Sequence, residues 1–190
     1  MVLELAGRAR VVGDDINADY IITSSRKRET IDASVLKQYL LEVVDPGFAS
    51  SVRDGDLLVA GRNFGCGSAM EVAATVILAA GIRAVLAASF SRTFYRNAIN
   101  NGLLPVECDT SRIQEGDRLT IRLVDGHLNV RNLTRTEALA GVTLPPIMLA
   151  ILDAGGLVEA IRRHGSLRRL VIPSEARNLR RPNRGPLSEG

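Results

Sequence analysis

Apolar residues in this chain come in two rhythms. Short runs bounded by glycine, asparagine or aspartate predict strands at residues 5–12, 20–23, 57–60, 83–88, 103–106, 119–124 and 128–130. Helical spacing predicts helices at 33–41, 69–80, 89–101, 145–154 and 157–164, with one further turn at 48–52. Residues 13–19 form a turn rich in Asp and Asn, and residues 24–30 a charged loop of the kind that often carries function. Strand 57–60, helix 69–80 and strand 83–88 follow one another with short links. That order is a βαβ unit with parallel strands, which sets the fold class as α/β. Asp125-Gly126 joins two alternating runs and signals a hairpin.

The chain between the first strand and the first long helix of that unit reads Gly61-Arg62-Asn63-Phe64-Gly65-Cys66-Gly67-Ser68-Ala69-Met70-Glu71. Gly65 and Gly67 flank one residue, so the backbone there is free to take positive φ and approach a ligand closely. Ser68 followed three residues later by Glu71 matches a capping box. The amide groups and positive end of the following helix then face whatever lies above the glycines, a setting that suits a carboxylate. Ser68 has two readings from this pattern, a helix cap or a catalytic alcohol. The second needs backbone donors to stabilise the alkoxide, and a glycine turn beside a helix N-terminus supplies them.

Composition narrows the classes. The 190 residues are 46% hydrophobic, enough for one domain with a full core. No apolar run is long enough to span a membrane, and the first residues lack the basic and apolar regions of a secretory signal. Two cysteines, Cys66 and Cys108, make no disulfide framework and point to a reducing, cytoplasmic setting. The pI of about 9.2 misleads. Residues 165–190 hold six arginines and two glutamates, a net +4 against +3 for the whole chain, which leaves −1 on residues 1–164. The basic character belongs to a tail whose Arg, Pro and Ser content predicts disorder, so the expected domain is 1–164 and a nucleic-acid partner is disfavoured.

Other motifs fail. Gly65-Cys66-Gly67 resembles the start of a dinucleotide fingerprint, but Met70 stands at the third glycine and no acidic residue closes the next strand at Ala87-Ala88. No Lys-Ser/Thr pair makes a phosphate loop. Cys66, Cys108, His127 and His164 match no metal-ligand spacing, and two cysteines cannot house an iron–sulfur cluster.

Longer stretches resemble a known family. Asn63-Phe64-Gly65-Cys66-Gly67-Ser68, then Ser89-Phe90, then the run from Phe94-Tyr95-Arg96-Asn97 to Leu104-Pro105 are similar to the small subunit of 3-isopropylmalate dehydratase. Gly13-Asp14-Asp15-Ile16-Asn17-Ala18-Asp19 and Asp45-Pro46-Gly47-Phe48-Ala49 match as well, so the resemblance covers residues 1–164 in order. It implies a swivelling β/β/α domain of the aconitase superfamily, with a mixed, partly parallel sheet flanked by helices. It implies no cofactor in this chain, a large subunit that binds a [4Fe–4S] cluster, and a substrate that is a small dicarboxylic hydroxy acid. The reaction it implies is dehydration and rehydration at the neighbouring carbon, a step of leucine biosynthesis. Ser68 would be the base; Gly65, Cys66 and Gly67 would bind substrate around it.

The loop departs from the family pattern Gly-Cys-Gly-Ser-Ser-Arg-Glu-His at three places: Ala69 for serine, Met70 for arginine and Val72 for histidine. The resemblance gives that arginine a carboxylate to grip through paired hydrogen bonds. Arg26, Lys27 and Arg28 lie in the loop that sets substrate choice in the family, and one of them is expected to supply the missing charge. The apolar replacements open 2,3-dimethylmalate or another substituted malate as the substrate, and a dehydratase for another alkylmalate or a homoaconitate-type acid is the alternative of the same class. A non-catalytic carboxylate-binding subunit is the alternative from another class, and an arginine-tailed nucleic-acid binder a third.

Overall fold

The computed structural model describes residues 2–68, 70–124 and 126–166. One seven-stranded sheet runs through it in the order β4-β3-β2-β1-β5-β6-β7. The strands are β1 (Val2–Val11), β2 (Leu57–Ala60), β3 (Ala84–Ala87), β4 (Leu104–Glu107), β5 (Arg118–Val124), β6 (His127–Asn132) and β7 (Glu137–Ala140). Strands β1 to β4 are parallel to one another, and β1, β5, β6 and β7 pair antiparallel. The sheet is therefore mixed, as expected for the swivelling fold, with β1 as the seam between its halves.

Burial explains the two halves. All four residues of β2 and of β3 are buried. Leu58, Ala60, Val85 and Ala87 face one apolar cluster, while Leu57, Val59, Ala84 and Leu86 face the other. A strand covered on both sides reads as a continuous apolar run, which is why these were visible in the sequence. Strands β5 and β6 instead alternate buried and exposed, with Leu119, Ile121, Leu123, Leu128 and Val130 turned to the second cluster. Val124 pairs with His127, so the expected hairpin is present; Asp125 itself lies outside the described residues.

Helix α5 (Glu71–Ala79) crosses from β2 to β3, and α6 (Arg92–Asn100) from β3 to β4. Helices α7 (Pro146–Ala154) and α8 (Leu157–His164) follow the last strand, and Gly155 ends α7 in the left-handed conformation. Ile99, Ile151, Ala154 and Ala160 bury one another between α6, α7 and α8.

Several expectations are corrected. Residues 20–23 are not a strand: α1 (Ala18–Ile21) is a helical turn, started by the Asn17 side chain accepting from the Asp19 amide at 2.9 Å. Residues 24–30 are not a loop: α2 (Ser24–Glu29) is a helix capped by Thr23, and its Arg, Lys and Glu residues are good helix formers. The helix expected at 33–41 splits into α3 (Ala33–Leu36) and a tighter turn, Lys37–Tyr39. The turn at 48–52 is the short helix α4 (Phe48–Ser51). Strand β7 had no signal of its own and exists by pairing with β6. The expected tail lies, from residue 167 on, outside the described residues.

Candidate active site

Three loops meet where the parallel strands β1, β2 and β3 end. The loop after β2 is stitched to the loop after β1: the Gly65 amide donates to the Ile16 carbonyl and the Ala18 amide to the Cys66 carbonyl, each at 2.8 Å. It is stitched on its other side to the loop after β3, with the Phe64 amide donating to the Ser89 carbonyl at 3.0 Å and the Ser91 amide to the Phe64 carbonyl at 2.9 Å. These bonds satisfy backbone groups in a segment that has no strand or helix of its own. Phe64, fully buried, anchors it, with its ring edge-on to Phe94 at 4.9 Å.

Both flanking glycines have positive φ, +73° for Gly65 and +81° for Gly67. A β-carbon at Gly65 would lie 2.3 Å from Phe94, and one at Gly67 would lie 2.4 Å from the Asn17 amide nitrogen. The sequence suggested that these glycines let a ligand approach; what approaches in this structure is the neighbouring helix and loop. Cys66, between them, is half-buried, and its thiol lies 3.7 Å from the Asp15 carbonyl.

Ser68 is not the helix cap. Helix α5 begins at Glu71, its cap residue is the extended Met70, and among the described residues no side chain accepts from its first turn. Glu71 is thus the first helical residue and stands too early to close a capping box on Ser68. The exposed Ser68 hydroxyl donates instead to Asp19 Oδ2 at 3.1 Å. Ser24, on α2, donates to the other oxygen at 2.6 Å. The Ser24 bond holds the Asp19 carboxyl below the usual range; burial opposes it, and Ser68 and the charge of Lys27 add to the lowering. Asp19 is ionised at neutral pH, so the Ser68 hydroxyl keeps a charged acceptor on one side and presents its lone pairs on the other.

Asp19 went unrecognised as a site residue in the sequence. It lies in a turn 49 positions from Ser68, and no local pattern joins the two. The charged stretch also sorts itself. Arg26 forks onto Glu42 at 3.0 and 3.2 Å and lies over the Tyr39 ring at 3.8 Å. Arg28 is exposed. Lys27 is half-buried and its ammonium meets the Met70 thioether. Of the three cations, Lys27 is the one brought to the Ser68 loop.

Neither cysteine fits a metal cluster. Cys108 lies in the second core cluster, where burial first and Asp109 second push its thiol up to about 12. Among the described residues, no three His, Cys, Asp or Glu side chains gather closely enough to hold a metal ion.

A parallel βαβ unit and a glycine-bound serine between three strand-end loops define a swivel domain of the aconitase type. Residues 16–111 match the family described as aconitase C-terminal domain. The chain belongs to the 3-isopropylmalate dehydratase small-subunit family, hydro-lyases of leucine biosynthesis, and a small subunit implies a large-subunit partner. It is 47% identical over 163 residues to 3-isopropylmalate dehydratase small subunit 1 of Methanopyrus kandleri, covering 85% of this chain and 94% of the relative. It is 40% identical over 161 residues to the isopropylmalate/citramalate isomerase small subunit of Methanocaldococcus jannaschii, covering 84% and 94%. A crystal structure of 3-isopropylmalate dehydratase from Methanocaldococcus jannaschii superposes with a TM-score of 0.81 at 38% identity, covering 86% of this chain and 96% of the other.

Proposed function

We propose that Ser68 is the base of a dehydratase acting on a substituted malate, and that it works only when a large subunit closes over the loop. The observation that carries this reading is the Ser68 to Asp19 hydrogen bond at the open end of the parallel sheet. A hydroxyl that donates to a carboxylate gains electron density on its oxygen and is held in one rotamer, which makes it a better proton acceptor. Ser68 Oγ, passing its own hydroxyl proton to Asp19, would take the proton from the carbon next to a substrate carboxylate. The C–H electron pair becomes the double bond as the hydroxyl leaves the neighbouring carbon, and water returns with the positions exchanged. The first amides of α5, free of a side-chain cap, stabilise negative charge growing on the acid. Gly65, Cys66 and Gly67 set the backbone that aims these groups.

The chemistry of hydroxyl departure is assigned to a [4Fe–4S] cluster in the large subunit, since the two cysteines of this chain lie apart in a loop and a core. Domain 1–164 carries the site, and its reduced cysteines suit the cytoplasm. Isopropylmalate is the proposed substrate. The apolar Met70 beside the base favours testing 2,3-dimethylmalate, citramalate and a homoaconitate-type acid beside it.

The test is co-expression with the large subunit and an anaerobic hydratase assay over these acids. Turnover that needs both chains and disappears in Ser68→Ala supports the reading. Turnover by Ser68→Ala at the parent rate ends it, and tight acid binding without turnover points to a non-catalytic carboxylate-binding subunit.

A further inference from the structure

We propose that Lys27 is the cation that grips a carboxylate of the hydroxy-acid substrate beside Ser68. This assignment rests on the reading of Ser68 as the base and names the group that places the acid against it. The ammonium is half-buried and makes no ion pair within 4.0 Å with any described residue; the side chain it meets is the thioether of Met70, itself 7% exposed. A thioether is a weak acceptor, so the half-buried charge has the Asp19 carboxylate near enough to feel it but no ion pair within 4.0 Å among the described residues. That is the condition in which an anion binds with most gain.

Its position is fixed by built structure. Thr23 caps α2, Ser24 ties the start of that helix to Asp19, and Asp19 ties to Ser68. Asp19 accepts from Ser68, and the charge of Lys27 adds to the lowering of its pKa. An acid whose carboxylate meets Lys27 would lie against the loop that carries both Met70 and Ser68. Of the adjacent arginines, Arg26 is held by Glu42 and Tyr39, and Arg28 is exposed with no hydrogen bond to the Ser68 loop among the described residues. The grip is a point charge and not a planar fork, so it fixes the distance of the carboxylate and leaves its plane free. Substituted malates of several sizes then seat on the same cation, and Met70 bounds the space beside it.

The experiment uses the assembled complex of both subunits, with isopropylmalate as probe, and reads KM, kcat and a calorimetric Kd. Lys27→Met should raise KM and Kd about ten- to hundredfold, the effect of losing one charge-assisted contact. Because the contact is made before and during reaction, kcat should stay within about threefold of the parent. Adding Met70→Arg to Lys27→Met should lower KM again, since residue 70 reaches the place of the lost ammonium. Unchanged KM and Kd in Lys27→Met, or a loss confined to kcat, overturns the assignment. If Lys27→Met fails to assemble, Lys27→Gln, polar and uncharged, is judged by the same criteria. Ser68→Ala run in parallel separates the two claims: it should lose kcat and keep Kd. A dead Ser68→Ala with an indifferent Lys27→Met sinks only the grip, whereas a fully active Ser68→Ala sinks the base and leaves a Kd effect of Lys27 standing.

Discussion

Two ionic clusters lie at opposite ends of β2, and they differ in how deeply their charges are buried. Before the strand, Asp56 takes Arg8 at 2.7 Å and the Arg53 amide at 3.0 Å, and Arg10 lies 3.7 Å from the same oxygen. Arg10 also binds Glu115 at 2.7 Å and Ser51 at 2.8 Å and stacks over Phe48 at 4.7 Å. The Arg10 and Asp56 side chains are 7% and 5% exposed. Burial pushes the Asp56 carboxyl up, but the bonds from Arg8 and Arg53 outweigh it and the net direction is down. After the strand, Asp19, Ser68 and Lys27 are open or half-buried, and Lys27 has a thioether for a neighbour. The first cluster uses its charges on itself and serves the fold. The second holds an exposed hydroxyl and a half-buried cation with no ion pair among the described residues, an arrangement that suits the proposed anionic substrate. Exposure tells the two apart: Arg10 Nη1 also lacks a hydrogen-bond partner, but it is sealed inside the fold, whereas the Ser68 hydroxyl is open.

That contrast breaks first at Ser68. Ser68→Ala, assembled with the large subunit, should lose kcat by about 10² to 10⁴, the range for a positioned general base, with its urea midpoint unchanged. The reciprocal result belongs to Asp56→Ala: a stability loss of about 1–3 kcal/mol, because Arg8 and the Arg53 amide lose their acceptor and Arg10 keeps only its Glu115 ion pair, with kcat per folded complex retained. Equilibrium urea unfolding measures the first and active-site titration the second. A catalytic defect there would erase the distinction between the clusters.

Asp19→Asn sharpens it further. The amide keeps a hydrogen bond to Ser68 and loses the charge, so kcat should fall about tenfold with the fold intact. The sign with pH follows from the lowered pKa. Asp19 favours the folded network fully above its ordinary value of about 3.9, and that contribution is lost as pH falls through the lower folded value. Activity between pH 5 and 8 should therefore show no acidic limb from this group, judged by comparing parent and Asp19→Asn profiles. The smallest effect separates the thiols: under native conditions a maleimide should label half-buried Cys66 and spare Cys108, whose pKa of about 12 keeps it protonated until the chain unfolds.

The elements legible in the sequence were those whose burial is simple. Strands β2 and β3 are covered on both faces, and α7 and α8 are bounded by prolines and glycines, so each shows in composition alone. Segment 18–30 was misread because Ile21 and Ile22, both fully buried, imitate a strand. Its helices depend on caps from Asn17 and Thr23 that only bonding reveals. The candidate site divided in the same way. Gly65, Cys66, Gly67 and Ser68 stood out as a contiguous motif, but the capping box read there was an accident of spacing, undone by one extended residue, Met70.

The chain alone determined the family, the βαβ unit and the serine among glycines, because these depend on residues adjacent in sequence. Tertiary structure decided what Ser68 bonds to, which of three neighbouring cations meets Met70 beside it in the chain, and why the glycines are required. Asp19 and Ser68 are 49 residues apart, Lys27 and Met70 43, and the contact that limits Gly65 comes from Phe94. Such pairs are set by how loops at the ends of parallel strands fold against one another, and local sequence carries no physical record of that distance.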